Sequence, residues 1–123
     1  MENIEYIEYR AWIPKLKQFF YWGIGDIEGN GAYQTAPPSD RTAIHQQFTG
    51  FMDRKNNKKI YLGDFIKTRS GIQLVTWNSH DGQWSLDDKD TPLHWAASLE
   101  REVVGNLFEN PEIYAAWKAQ ERE

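Results

Sequence analysis

Gln47-Phe48-Thr49-Gly50, followed by Ile60-Tyr61-Leu62-Gly63-Asp64-Phe65-Ile66, reads as two short apolar strands, each punctuated by a glycine turn. Val103-Val104-Gly105-Asn106-Leu107-Phe108-Glu109-Asn110-Pro111 echoes the pattern near the end of the chain. Aromatic and β-branched residues suit a half-buried pleated surface, and glycine supplies backbone conformations that other residues resist. These stretches predict a small β domain. They contain no catalytic constellation.

The same rhythm extends on both sides. Residues 44–51 predict one strand, with the Thr49 hydroxyl satisfying local backbone in a Thr49-Gly50 turn. Residues 54–59 are a polar hairpin tip in which Asn56-Asn57 can supply positive φ. Further strands are expected from Phe65, over 72–77 and over 83–86, separated by the turns Ser70-Gly71 and His80-Asp81-Gly82. Short strands at intervals of roughly ten residues signal a small antiparallel barrel or sandwich. Upstream, residues 4–12 alternate as a strand, with Ile4, Tyr6 and Glu8 on one face and Ile7, Tyr9 and Ala11 on the other; Pro14 ends it. Phe19-Phe20-Tyr21-Trp22 is a second apolar run closed by Gly23. Residues 24–40, rich in Gly, Asn, Pro and Ser, read as a long surface loop with one short strand near Tyr33. Residues 93–99 fit either a short helix or a crossover. A last strand is expected over 103–107, and then Asn110-Pro111-Glu112 marks a helix start, with Asn as N-cap and Pro at the first helical position. Ile113, Tyr114 and Trp117 recur at helical spacing in that tail.

The chain has 123 residues, enough for one domain with its own core. It has no cysteine, which excludes disulfides, thiolate zinc sites and Cys nucleophiles and suits a reducing cytosol. Met1-Glu2-Asn3-Ile4-Glu5 begins polar, so neither a signal peptide nor a membrane span is expected. The net charge of -4 argues against nonspecific nucleic-acid binding, although 54–59 is locally basic. Aromatic residues make up 15% of the chain; about two in three are expected in the core or at its edge, and such richness can also mark a stacking or recognition surface.

Tyr9-Arg10-Ala11-Trp12, Gln47-Phe48-Thr49-Gly50, Ile60-Tyr61-Leu62-Gly63-Asp64-Phe65-Ile66, Val75-Thr76-Trp77 and the segment from Val103 through Glu112 together resemble the YopX family, small proteins found largely in bacteriophages and prophages. The likeness runs over nearly the whole chain in order. The chain departs from the family pattern in placing Asn56-Asn57 where an Asn-Gly turn is usual, Leu62 where an acid is common, and Ile13-Pro14 after Trp12. Its helical tail is also longer. The resemblance implies a mainly β fold: a small antiparallel SH3-like barrel or roll, with an N-terminal β extension and a short C-terminal helix. It implies a single domain over 1–123 and a phage accessory protein of the bacterial cytosol. It assigns no activity.

The residues themselves point away from an enzyme. His45, His80 and His94 lie in different elements, and His80-Asp81 sits beside Gly82, where turn formation explains the Asp. Asp87-Asp88-Lys89-Asp90 lacks the glycine and distal glutamate of a calcium loop and reads as a solvated acidic loop. No metal or other cofactor is implied. Gly50, Gly63, Asp64, Gly105, Asn106, Asn110 and Pro111 read as turn and capping chemistry. Two binding surfaces stand out. Arg54, Lys55, Lys58 and Lys59, with Tyr61 and Trp77, form the nucleic-acid candidate. Tyr114 and Trp117 form a candidate contact for a host protein or a second copy. The favoured reading is a noncatalytic protein-interaction module, with nucleic-acid binding as the alternative.

Overall fold

The computed structural model describes residues 7–24, 36–53, 55–68, 71–87, 93 and 102–121. Its strands are β1 (Ile7–Ile13), β2 (Gln18–Ile24), β3 (Ile44–Met52), β4 (Lys59–Tyr61), β5 (Asp64–Thr68), β6 (Gly71–Asn78), β7 (Gln83–Leu86) and β8 (Glu102–Asn106), followed by helix α1 (Pro111–Glu121). The fold is mainly β, with the short C-terminal helix the sequence predicted. The strands order as β2-β1-β3-β4 and β7-β6-β5-β8 in two antiparallel sheets, so the expected barrel is not closed. The chain divides into two compact units, Met1–Phe48 and Thr49–Glu123.

In the first unit β1 pairs along its length with β2, and Tyr9 to Trp12 pair with residues 47 to 44 of β3. The β1–β2 turn is tight: the amides of Leu16 and Lys17 both donate to the Ile13 carbonyl, and Lys17 takes φ +53. Alternation assigns Glu8, Arg10 and Trp12 to one face, as the spacing predicts, but the polar pair is the buried one. Glu8 is 1% exposed and Arg10 5%, whereas Ile7 is 42% exposed. Arg10 is held by its Nε donating to Gln46 Oε1 at 2.8 Å, and its guanidinium lies 4.5 Å from the Phe19 ring centroid.

In the second unit, β5 pairs with β6 and β8, and β6 pairs with β7; the β5–β8 register slips between Phe65 and Ile66. One face of this sheet carries the core. Ile60, Ile66, Val75, Leu86 and Leu93 form it, with Phe51, Trp84 and Val103 packed against it. On the other face Phe65 meets Tyr114 and Trp117 of α1, at centroid distances of 6.4 and 5.7 Å. Asp87 bonds the amide and carbonyl of Leu74, through its Oδ1 and its own N–H. Two residues along, the Gln120 carboxamide does the same for Ile72, donating to its carbonyl at 2.7 Å and accepting its amide at 3.3 Å.

The glycine turns divide into two kinds. Gly63 (φ +89) forms the β4–β5 corner, where Asp64 Oδ2 accepts the Tyr61 amide at 2.8 Å, the strand-entry role expected of it. Thr49-Gly50, by contrast, is not a turn; it lies inside β3. Gly50 takes φ +90, as glycine does at a β-bulge, and the Thr49 hydroxyl donates to the Ile60 carbonyl of β4 while accepting the Phe51 amide. The strand therefore continues to Met52. The short strand proposed near Tyr33, and nearly all of residues 93–99, lie outside the described residues.

Candidate functional site

The motifs that carry the family pattern are occupied with holding the backbone. Asn106 Oδ1 accepts the amides of Phe108 and Glu109, its Nδ2 donates to Glu109, and its own amide donates to Asn110 Oδ1 at 3.0 Å. Asn110 does open the helix, since its carbonyl accepts the amides of Ile113 and Tyr114, with Pro111 at the first helical position. Its side chain, however, turns back to β8 rather than capping forward. A Cβ on Gly105 would stand 2.8 Å from Asn110 Cγ and Oδ1, so this close approach requires glycine.

Asp53 organises the basic hairpin, and nothing in the sequence singled it out. It is fully buried, and its carboxylate accepts the amides of Lys55, Asn56 and Val103 at 2.6, 2.9 and 2.8 Å. Burial pushes its pKa up, but the bonds from Asn56, Val103 and Lys55 together outweigh burial and hold it below the ordinary value of 3.8. The loop closes with Asn57 at φ +58 and the Asp53 amide donating to the Lys58 carbonyl.

That loop presents less free cationic charge than its sequence suggests. Lys55 Nζ lies 3.9 Å from Glu102, Lys58 is exposed, Lys59 is half-buried, and Arg54 lies outside the described residues. Tyr61 is only 5% exposed and Trp77 46%, the latter edge-to-face with Trp84 at 4.9 Å. Of the aromatics proposed for the nucleic-acid surface, one is therefore interior. The tail divides similarly. Trp117 is 8% exposed and its indole N–H donates to Asp87 Oδ1 at 2.8 Å, which makes it a packing residue; Tyr114 remains 39% exposed.

Among the described residues, neither His45 nor His80 converges with acids. Asp81 pairs with Asn78 across the turn, its amide donating to Asn78 Oδ1 and its carboxylate accepting from Nδ2, while His80 is exposed. His45 Nδ1 accepts the Trp22 indole N–H at 3.2 Å. His94 lies outside the described residues, as do Asp88, Lys89 and Asp90. No group of three or more metal-ligating side chains occurs among the described residues.

An aromatic surface among the described residues is one that sequence reasoning passed over, because it lies across strands rather than along one. On one face of the first unit, Trp12 opposes both Phe19 and Ile44, and Arg10 opposes Tyr21. Trp12 meets Phe19 edge-on at 5.0 Å, and Phe19 lies 6.3 Å from Tyr21. Ile44 is 45% exposed and Tyr21 42%. On the opposite face Tyr9 stacks on Trp22 at 4.5 Å, and Trp22 reaches over β1 to His45 across fully buried Ala11. A signal was present: an aromatic run in β2 facing an aromatic alternation in β1.

No helix among the described residues is long and apolar enough to cross a membrane. No curated protein matches the chain. The family model described as YopX protein matches residues 8–115, spanning both compact units and every motif above. The chain therefore belongs to the YopX family.

Proposed function

We propose that this chain is a noncatalytic protein-interaction module of phage or prophage origin, acting in the bacterial cytosol on a host or defence factor. The observation that carries the reading is the surface of the first unit formed by Trp12, Phe19, Tyr21 and Ile44. It sets two strongly exposed apolar side chains beside two half-buried rings. Contiguous exposed apolar area of this kind marks protein contacts, and aromatic residues dominate binding energy where they occur. Motif side chains engaged in hydrogen bonds to the backbone fit a scaffold that presents a surface rather than one that performs a reaction. Nucleic-acid binding is the weaker reading, since Lys55 faces Glu102 and Tyr61 is interior.

The test is a pull-down from infected-host lysate with the intact chain and with Tyr21→Ser and Ile44→Ser. The reading expects a specific host protein to be retained by the parent chain and by Tyr114→Ala but lost on both surface variants. Equal retention by all four chains overturns it. Salt-dependent retention of single- or double-stranded DNA, weakened by Lys58→Ala, would favour the alternative.

A further inference from the structure

A second feature of the first unit is independent of that surface. The β1–β2 turn and the segment before β3 line an open surface pocket of about 340 Å3, at the lower end of the range of about 300–1,000 Å3 typical of small-molecule sites. Ile13, Leu16, Phe20 and Pro38 supply its apolar lining, and Lys15, Ser39 and Asp40 its polar groups. Leu16 is 62% exposed, the highest value among the exposed large apolar side chains of the described residues, at the crest of a turn whose backbone is fixed.

The two charges are poised rather than paired. Asp40 Oδ1 accepts both the amide and the hydroxyl of Thr42, at 2.8 and 2.6 Å. These bonds keep the carboxylate in its ionised form, and Lys15 reinforces them through space. Asp40 Oδ2 and Lys15 Nζ make no hydrogen bond or direct ion pair among the described residues. A held anion and a cation with no ion pair among the described residues thus flank one apolar pocket. The geometry points to a binding site for a small zwitterion with an apolar body, namely an α-amino acid with a branched aliphatic or aromatic side chain. Its ammonium group donates to Asp40 and its carboxylate accepts from Lys15, while its side chain covers Leu16 and Phe20. Each ligand charge meets one protein charge of opposite sign, so a ligand that lacks either one loses a charge-assisted contact.

Titration of the isotopically labelled full chain with L-leucine and L-phenylalanine tests this, read from amide chemical shifts. Saturable shifts are expected at Lys15, Leu16, Ser39 and Asp40, and none with glycine. N-acetyl-L-leucine and L-leucinamide should each bind about tenfold more weakly, the loss of one charge-assisted contact. Lys15→Gln should abolish the discrimination against leucinamide and keep that against the acetylated ligand; Asp40→Asn should do the reverse. Lys15 is exposed, so its variant remains decisive even if Asp40→Asn unsettles the Thr42 turn. Absence of saturable shifts with either amino acid, or discrimination unchanged by Lys15→Gln, overturns the proposal.

Discussion

Asp87 Oδ1 accepts the Trp117 indole N–H and the Leu74 amide, each at 2.8 Å. One carboxylate oxygen thereby ties helix α1 to the strand beneath it, while the Trp117 ring packs on Phe65. Trp117→Phe keeps most of the packing and loses the N–H, and should cost about 1–2 kcal/mol. Trp117→Ala also loses the buried ring and should cost about 3–5 kcal/mol. Urea unfolding of the two variants checks the ordering.

Asp53 makes acid stability a local matter. Its folded pKa lies below the ordinary 3.8, so its contribution is complete above the unfolded value and is lost as pH falls through the lower folded one. The loss therefore belongs below about pH 4. Asp53→Asn turns an amide donor toward backbone N–H groups and should cost about 2–3 kcal/mol at neutral pH. It should also flatten the acid limb of the unfolding free energy measured against pH.

The Gly105–Asn110 approach predicts non-additivity. Gly105→Ala drives a methyl to within 2.8 Å of the Asn110 side chain and should cost about 1–3 kcal/mol. In an Asn110→Ala background the 2.8 Å approaches to Cγ and Oδ1 are gone and only the 3.0 Å approach to Cβ remains, so the same substitution should cost less. A double-mutant cycle measures the difference. Equal costs in both backgrounds would refute the contact.

Lys55 supplies the contrast. Its side chain is 63% exposed and its distance to Glu102 is 3.9 Å, so Lys55→Ala should shift stability by less than about 0.5 kcal/mol. Thermal unfolding at low and high salt should give the same small difference.

The strands were legible in the sequence because their aromatic and β-branched residues alternate, and the corners because Gly63 and Gly82 stand where positive φ is needed. The N-cap position of Asn110 was legible for the same local reason. What local pattern cannot show is the distant partner. Arg10 is buried because Gln46, 36 positions away, accepts its Nε–H, and Asp53 because Val103 donates to it from 50 positions away. Helical spacing set Tyr114 and Trp117 together, yet only the position of Phe65 and Asp87 decides which of them is interior. The aromatic surface of the first unit left only its aromatic runs in β1 and β2 as a trace, because strand pairing, not strand sequence, assembles Trp12, Phe19, Tyr21 and Ile44.

The carboxamide of Gln120 stands in for a neighbouring strand, since it occupies both backbone groups of Ile72. A glutamine in the last turns of a helix thus acts as a molecular stopper where, among the described residues, β7 does not reach along β6. Removing it by truncation after Lys118 should leave that part of β6 a template for cross-chain pairing, with self-association rising in sedimentation velocity. The helix tail thus does more than pack on its own sheet: it occupies backbone groups with which a second chain could pair.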